Sequence, residues 1–182
     1  YGPRTTLSLA HVDGPGVTEF LLAEDAGGTD GGTWVRSNEY SSIGEGKLFA
    51  PGNLRAVKDH SGYAELVKWY SENGYQLRYT GGMALDVMQL CVKGRGVFMA
   101  PASRGGRTPP PARLLFEALP LAYLVERCGG ATSDGTRSLL DVCVERLDQR
   151  TQIALGSAPD VARFEELVGA ADPVRTLAER TV

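Results

Sequence analysis

The chain has 182 residues, of which 42% are hydrophobic and 23% are charged, and this composition is typical of a globular protein of one domain or slightly more. Its formal net charge of −3 gives no global positive field, so we expect neither nucleic acid nor a membrane as a partner. No apolar run reaches about 18 residues, which argues against a membrane span, and the three cysteines lack metal-ligand spacing and predict buried thiols.

The first third of the chain is predicted to be mainly extended. Residues 5–12 and 17–24 predict a hairpin around a DGPG turn, and TWVRS at 33–37 predicts a third short strand. The glycine-rich stretch 40–56 is predicted to be irregular, and such a segment is often functional in a compact domain. The first residues, YGPRTT, have no initiator methionine or signal sequence, so we expect an upstream part of a larger protein.

Helices and strands alternate across the rest of the chain, which predicts an α/β fold with layered packing. The predicted elements are helix 61–74 capped by Ser61, strand 75–80, helix 81–94, strand 96–102, helix 114–128, strand 151–157 and a last helix that starts at Ser157 or Asp160. Pro120 either kinks helix 114–128 or begins it, and in the second case Glu117 lies on the entering turn.

Glu117 is a carboxylate within an apolar stripe of that helix. The other members of the stripe recur at helical spacing and are Leu114, Ala118, Leu121, Val125 and Cys128. Because a buried anion needs a partner, three alternatives stay open for Glu117. It pairs with Arg113 one turn earlier, it points to solvent, or it binds a hard cation such as Mg²⁺ through its oxygens.

A second candidate feature is the segment 77–87, where a strand ends, two glycines follow and a helix begins. The free N–H groups at a helix start favour an anion, and Arg78 and Tyr79 add a charged fork and a hydroxyl. The alternative is a glycine turn beside a surface arginine. Asp86, in the same segment, is expected to be a structural partner of a neighbouring backbone group.

Two loops carry further polar candidates. Asn53 and Arg55 could line a polar pocket, or they could be solvated loop residues. The proline-rich loop 103–112 holds Arg104 and Arg107, which are expected to be solvated.

Five motifs occur together in register: IGEGKLFAPGNLRA, LRYTGGMALDV, RLLFEALPLAYLVERCGG, SDGTRSLLD and LDQRTQIALGS. Together they resemble the C-terminal half of the class I fructose-1,6-bisphosphatase family, in particular its sedoheptulose-1,7-bisphosphatase branch. The resemblance implies an α/β/α/β/α fold for the complete protein. Residues 1–46 would end the N-terminal metal-binding domain, and residues 47–182 would form the C-terminal domain that binds the sugar phosphate.

The resemblance also implies the chemistry of the complete protein. It would hydrolyse the 1-phosphate of sedoheptulose 1,7-bisphosphate with Mg²⁺, with fructose 1,6-bisphosphate as the alternative substrate. This chain alone would be inactive, and a non-catalytic binding or oligomerisation role stays open for it. A homodimer or homotetramer is expected, located in the plastid stroma or, alternatively, in the cytoplasm.

Site residues follow from the resemblance position by position. Glu117 matches a metal-binding glutamate, and Arg113 matches an arginine near the metal and the reacting phosphate. The positions that match contacts to the sugar or the distal phosphate are Asn53, Arg55, Arg78, Tyr79, Gly82 and Met83. Arg78 would reach into the neighbouring subunit's site.

The chain departs from the family pattern at two positions. Ala100 stands where the fructose branch has a tyrosine, and Pro111 stands where the family usually has a lysine. Both family residues contact phosphate or sugar, so Arg104 or Arg107 is the expected compensation.

Overall fold

The structure is a computed structural model that describes residues 4–14, 16–23, 32–104 and 109–169. The strands are β1 Thr6–Ala10, β2 Val17–Ala23, β3 Thr33–Tyr40, β4 Gly44–Pro51, β5 Gln76–Leu77, β6 Arg95–Ala100, β7 Ala112–Arg113, β8 Ala131–Ser133, β9 Arg150–Thr151 and β10 Ile153–Gly156. The helices are α1 Ser61–Glu72, α2 Met83–Lys93, α3 Leu119–Arg127 and α4 Ala158–Leu167, with 3-10 turns at Leu54–Lys58 and Leu139–Asp141 and a π-helical turn at Leu114–Ala118.

The first sheet is antiparallel and contains β1, β2 and β3 in that order. The predicted hairpin is confirmed, because Thr6 pairs with Leu21 and Ala10 pairs with Val17. The predicted third strand is also present, and it runs on to Tyr40.

The second sheet has five strands in the order β5-β4-β6-β10-β8 and positions the candidate site. It is mixed, since β4 runs parallel to β5 and β6 while β10 runs antiparallel to β6 and β8. The sheet and its flanking helices confirm the predicted α/β class. One sheet ends at Tyr40 and the next begins at Gly44, and the predicted domain division after residue 46 stays a prediction.

The prediction that residues 40–56 are irregular is wrong. β4 occupies the middle of this stretch and is hydrogen-bonded on both sides, to β5 and to β6. Gly44 and Gly46 obscured the strand, because glycine weakens the sequence pattern of a strand interior. Glycine on the neighbouring strand allows close packing, since a Cβ on Gly96 of β6, whose φ is +101°, would lie 2.7 Å from the Leu48 carbonyl oxygen. The predicted strand 75–80, by contrast, shortens to Gln76–Leu77.

The strands of the second sheet send alternate side chains to two separate cores. Phe98 and Ala100 face one core, which also contains residues of α2 and α3. Val97 and Met99 face the other core, with residues of α1 and α4. We call these the α2/α3 face and the α1/α4 face.

The α1/α4 face carries a buried polar cluster around Asp160. Its carboxylate is 0% exposed and accepts hydrogen bonds from Ser157 (2.6 Å), Tyr75 (3.1 Å) and Arg163 (3.1 Å). The Arg163 guanidinium also lies 3.7 Å from the centroid of the Trp69 ring. Burial raises the pKa of Asp160, and the hydrogen bonds from Ser157 and Tyr75 oppose that rise.

Helix α1 begins as predicted at Ser61, but its cap is His60. The His60 Nδ1 accepts a hydrogen bond from the Tyr63 N–H at 3.2 Å, so Nδ1 carries no proton in this arrangement. Burial lowers the pKa of the imidazole, and the positive charge of Arg104 lowers it further.

Two further predictions concern cysteines and membranes. Cys91 and Cys128 are buried, as predicted, whereas Cys143 is exposed, so that part of the prediction is wrong. Within the ranges that the structure describes, no helix has the length and apolar character to span a membrane.

Candidate active-site cleft

A cleft of about 240 Å³ opens where the parallel strands β4, β5 and β6 end. Ligands commonly bind at the carboxyl ends of strands in open α/β sheets. The residues that line the cleft are Gly52, Asn53, Tyr79, Gly81, Met83, Phe98, Ala100, Pro111, Glu117 and Ile153.

Glu117 lies on the π-helical turn that precedes α3, because Pro120 falls in the first turn of that helix. This is the second of the two arrangements that the sequence left open. Leu114, Ala118 and the rest of the predicted stripe are buried, while Glu117 itself is half-buried and lines the cleft. A π-helical turn frequently marks a functional site.

The partner of Glu117 within the chain is a backbone group. Its Oε2 accepts a hydrogen bond from the Arg113 N–H at 2.7 Å. The Arg113 guanidinium lies instead 5.3 Å from the Phe116 ring centroid, on the exposed side of the turn. Among the described residues, Oε1 of Glu117 has no hydrogen-bond partner, so one carboxylate oxygen remains available in the cleft.

The twin-glycine turn forms another wall of the cleft. Gly81 has a φ of +86°, a conformation that glycine adopts without strain, and it lines the cleft together with Tyr79 and Met83. Gly82 caps α2 and is not a lining residue. Arg78 is exposed, and its backbone N–H donates to the Phe49 carbonyl at 2.9 Å.

The loop after β4 contributes Gly52 and Asn53. Asn53 adopts the left-handed conformation, with φ of +47°, and its Nδ2 donates to the Pro101 carbonyl at 2.8 Å. The Gly52 carbonyl accepts a hydrogen bond from the Tyr63 hydroxyl at 2.7 Å, and burial raises the pKa of that hydroxyl. These bonds tie the loop to the residue that follows β6 and to α1, so the wall is anchored from two sides.

The remaining wall is apolar, and sequence reasoning missed part of it. Phe98 and Ile153 line the cleft although neither was a candidate, and Ala100 and Pro111 were noted only as departures. Pro111 is held by Arg150, whose Nη1 donates to the Pro111 carbonyl at 3.3 Å. Strand-end positions on the α2/α3 face were the available signal for Phe98 and Ile153.

The structure therefore brings together Asn53, Tyr79, Met83 and Glu117 around one cleft. The other candidates lie outside its lining and are Arg55, Arg78, Gly82 and Arg113. Glu117 is the one charged residue among the lining residues of the described chain. Arg104 is exposed, and Arg107 lies outside the described residues.

The described residues fit a metal ion only as a partial ligand set. Within them, no group of three or more His, Cys, Asp and Glu side chains is close enough to hold a metal. The free oxygen of Glu117 is the hard ligand type that Mg²⁺ prefers. The chain can thus supply one carboxylate to a metal whose other ligands would come from residues beyond those described.

The part of the chain that forms the five-stranded sheet and the cleft matches a known protein family. The family described as "Fructose-1-6-bisphosphatase, C-terminal domain" matches residues 43–169. The chain belongs to this family, and the predicted relationship is confirmed.

Individual relatives agree with this assignment. The chloroplastic sedoheptulose-1,7-bisphosphatase of Spinacia oleracea is 48% identical over 166 residues, which cover 91% of this chain and 41% of that protein. The class 1 fructose-1,6-bisphosphatase of Geobacter metallireducens is 39% identical over 168 residues, which cover 92% of this chain and 51% of that protein.

A solved structure has the same fold. A Toxoplasma gondii protein assigned to the sedoheptulose-1,7-bisphosphatases superposes with a TM-score of 0.81 at 38% identity, over 92% of this chain and 54% of that one. The chain therefore spans about half the length of the relatives that it matches.

Proposed function

We propose that this chain is the sugar-binding part of a longer enzyme that hydrolyses the 1-phosphate of sedoheptulose 1,7-bisphosphate. Membership of the family supports a sugar bisphosphate phosphatase, and the higher identity to the spinach protein supports the seven-carbon substrate. The single observation that carries the proposal is that the Glu117 carboxylate opens into the same cleft as Tyr79 and the twin-glycine turn.

In this proposal the cleft residues hold the substrate from several sides. Asn53, Tyr79 and Met83 contact the sugar and its distal phosphate, and Gly82, at the start of α2 beside the cleft lining, adds a backbone contact. Arg55 and Arg78 contribute charge at the rim, and Arg78 extends towards the site of a neighbouring subunit. Binding energy from the distal phosphate then orients the 1-phosphate for attack, which raises the rate.

Catalysis itself needs divalent metal ions, which we propose to be Mg²⁺. When bound, Mg²⁺ would neutralise charge on the phosphate oxygens and would lower the pKa of a water molecule. Glu117 would hold it through the oxygen that the Arg113 N–H leaves free. Arg113 would contact the reacting phosphate, where a guanidinium fork matches the oxygens.

The apolar wall bears on how the distal phosphate is held. Ala100 and Pro111 carry no charge or hydroxyl into the cleft. Binding of the distal phosphate therefore depends on the rim arginines Arg55 and Arg78, and we propose that Arg104 and Arg107 compensate for the missing polar groups.

Fructose 1,6-bisphosphate remains the second candidate substrate, because the class 1 fructose-1,6-bisphosphatase of Geobacter metallireducens is 39% identical.

Phosphate release by the purified full-length protein tests the proposal. We expect release from sedoheptulose 1,7-bisphosphate with Mg²⁺, and none after the metal is removed with EDTA. A higher kcat/KM for fructose 1,6-bisphosphate would make the second candidate correct, and no release from either sugar would overturn the activity. The isolated 182-residue chain should be inactive, since it offers a single metal carboxylate among its described residues.

Assembly and location belong to the same proposal. We expect a homodimer or homotetramer, because Arg78 would complete a neighbouring site, and light scattering of the full-length protein measures this. The chloroplastic relatives support the plastid stroma.

A further inference from the structure

Beside the cleft lies a buried carboxylate that has no role in the proposal above. Asp86 is 2% exposed and lies in the first turn of α2, directly after the twin-glycine turn. Its Oδ1 accepts a hydrogen bond from the Thr80 N–H at 2.8 Å. Its Oδ2 is buried and has no hydrogen-bond partner in the described part of the protein.

This arrangement is costly for a carboxylate. Burying an ionised group with a single hydrogen bond is unfavourable, and the dipole at the start of α2 offsets only part of that cost. An apolar side chain of similar size would avoid the cost altogether. The carboxylate is therefore best explained by the backbone group that its Oδ1 holds.

That backbone group belongs to the wall of the cleft. Thr80 lies between Tyr79 and Gly81, both of which line the cleft. The Thr80 Oγ1 in turn accepts a hydrogen bond from the Gly82 N–H at 3.2 Å, and the Gly82 carbonyl accepts from the Asp86 N–H at 2.9 Å. These three bonds form a closed loop through the turn.

Tyr79 is only partly packed against the rest of the protein. Its side chain is 48% exposed, and within the described residues its hydroxyl has no hydrogen-bond partner. The preceding residue is fixed by its backbone bond to Phe49, but the turn from Thr80 to Gly82 includes a glycine with positive φ, which has many alternative conformations. The hydrogen bond from the Thr80 N–H to Asp86 selects one of these conformations.

We propose that Asp86 is a positioning residue that fixes Tyr79 and the twin-glycine turn for substrate binding, an inference that rests on the proposed function. It acts through the Thr80 N–H and does not contact the substrate. Loss of its acceptor should release the turn and weaken binding of the substrate while the reacting groups around Glu117 stay in place.

The steady-state test compares two substitutions at this position in the full-length protein. Asp86→Ala removes the acceptor, so KM for the sugar bisphosphate should rise about tenfold with a smaller change in kcat. Asp86→Asn keeps a carbonyl oxygen at the same place and should bring KM back to within about threefold of the wild-type value. An unchanged KM in Asp86→Ala would overturn the positioning role.

Asp160 provides a matched control. It is also a buried aspartate in the first turn of a helix, α4, but it lies on the α1/α4 face. Asp160→Ala should lower the thermal midpoint and reduce the active fraction while KM stays unchanged. An equal rise of KM in Asp160→Ala would mean that general loosening of the fold, not the turn, explains the effect, and would overturn the inference.

Hydrogen exchange provides a measurement that needs neither activity nor a variant that folds. The Thr80 amide of the wild-type full-length protein should exchange more slowly than an exposed turn amide, because its proton is bonded to a buried carboxylate. Fast exchange would overturn the inference even if phosphate release is normal. Conversely, an inactive protein with a protected Thr80 amide would refute the proposed function and leave the bond to Asp86 supported.

Discussion

The two faces of the five-stranded sheet use the same strands but differ in what their carboxylates contact. On the α1/α4 face, the Asp160 carboxylate has three hydrogen-bonding neighbours. On the α2/α3 face, Asp86 leaves one buried oxygen without a partner in the described chain, and Glu117 keeps one oxygen free. Buried polar groups are normally paired, but among the described residues buried atoms without a partner occur on both faces, for example the Tyr70 hydroxyl and Asp86 Oδ2. What distinguishes the α2/α3 face is the free Glu117 oxygen that opens into the cleft.

One tyrosine near each face shows a related difference, in the exposure of its side chain. Tyr70 is 0% exposed and its ring stacks on Phe49 with centroids 5.2 Å apart, whereas Tyr79 at the cleft is 48% exposed. Aromatic burial stabilises the first region, while the second keeps an aromatic side chain open to a ligand. Both faces carry a buried core, and the α2/α3 face in addition carries the cleft.

The largest expected effect is a loss of stability that leaves substrate binding unchanged. Phe164 is fully buried in the α1/α4 core, so Phe164→Ala should lower the free energy of unfolding by about 3–5 kcal/mol in urea denaturation. The molecules that remain folded should keep the wild-type KM, and a raised KM would contradict the separation of the two faces. Leu147→Ala, at a position that is 75% exposed, is the control and should change stability by about 0.5 kcal/mol or less.

The second effect concerns the reaction. Glu117→Gln preserves the volume and the acceptor for the Arg113 N–H but removes the charge that a metal ligand needs, so kcat of the full-length protein should fall about 100-fold. The matched control is Glu126→Gln in α3, where the carboxylate accepts hydrogen bonds from Thr132 and Ser138. Near-normal activity of Glu117→Gln would show that this carboxylate does not serve the metal.

The smallest expected effect is a pH dependence of the free energy of unfolding, which is caused by His60, the cap of α1. Burial and Arg104 lower the folded-state pKa of His60 below its ordinary value of 6.5, so the unfolded state binds the proton first as the pH falls. Stability is therefore fully present above about pH 6.5 and is lost as the pH falls towards the folded-state pKa. Urea denaturation at several pH values between about 5 and 8 measures this loss.

Two substitutions test whether His60 causes that pH dependence. Asn at position 60 can still cap a helix but does not titrate in this range, so His60→Asn should flatten the slope. His11→Asn, at an exposed position, should leave the slope as it is. Parallel slopes for wild type and His60→Asn would show that other groups produce the dependence.

The sequence predicted those parts of the fold that leave a local pattern. The short apolar run from Val97 to Ala100 indicated a strand, and the helical spacing of Leu114, Ala118 and their neighbours indicated the buried stripe beside Glu117. The hairpin of β1 and β2 followed from two extended runs around a turn. Each of these signals depends on residues a few positions apart, where periodicity reports directly on burial.

Other features depended on which parts of the chain are neighbours in the folded structure. β4 escaped prediction because its glycines weaken the strand pattern, and it is nevertheless a strand because it pairs with β5 and β6. The cap of α1 was His60 instead of Ser61, because the fold buries that imidazole against the start of the helix.

The sequence by itself determined the α/β class, most helices and the residue types that the candidate site requires. The tertiary structure alone decided that residues as distant as Asn53, Tyr79, Glu117 and Ile153 share one cleft. The physical reason is that strand order, which no local periodicity encodes, brings the ends of β4, β5 and β6 together. The same packing set the Asp86 carboxylate against the Thr80 amide and left Glu117 with an oxygen open to the cleft.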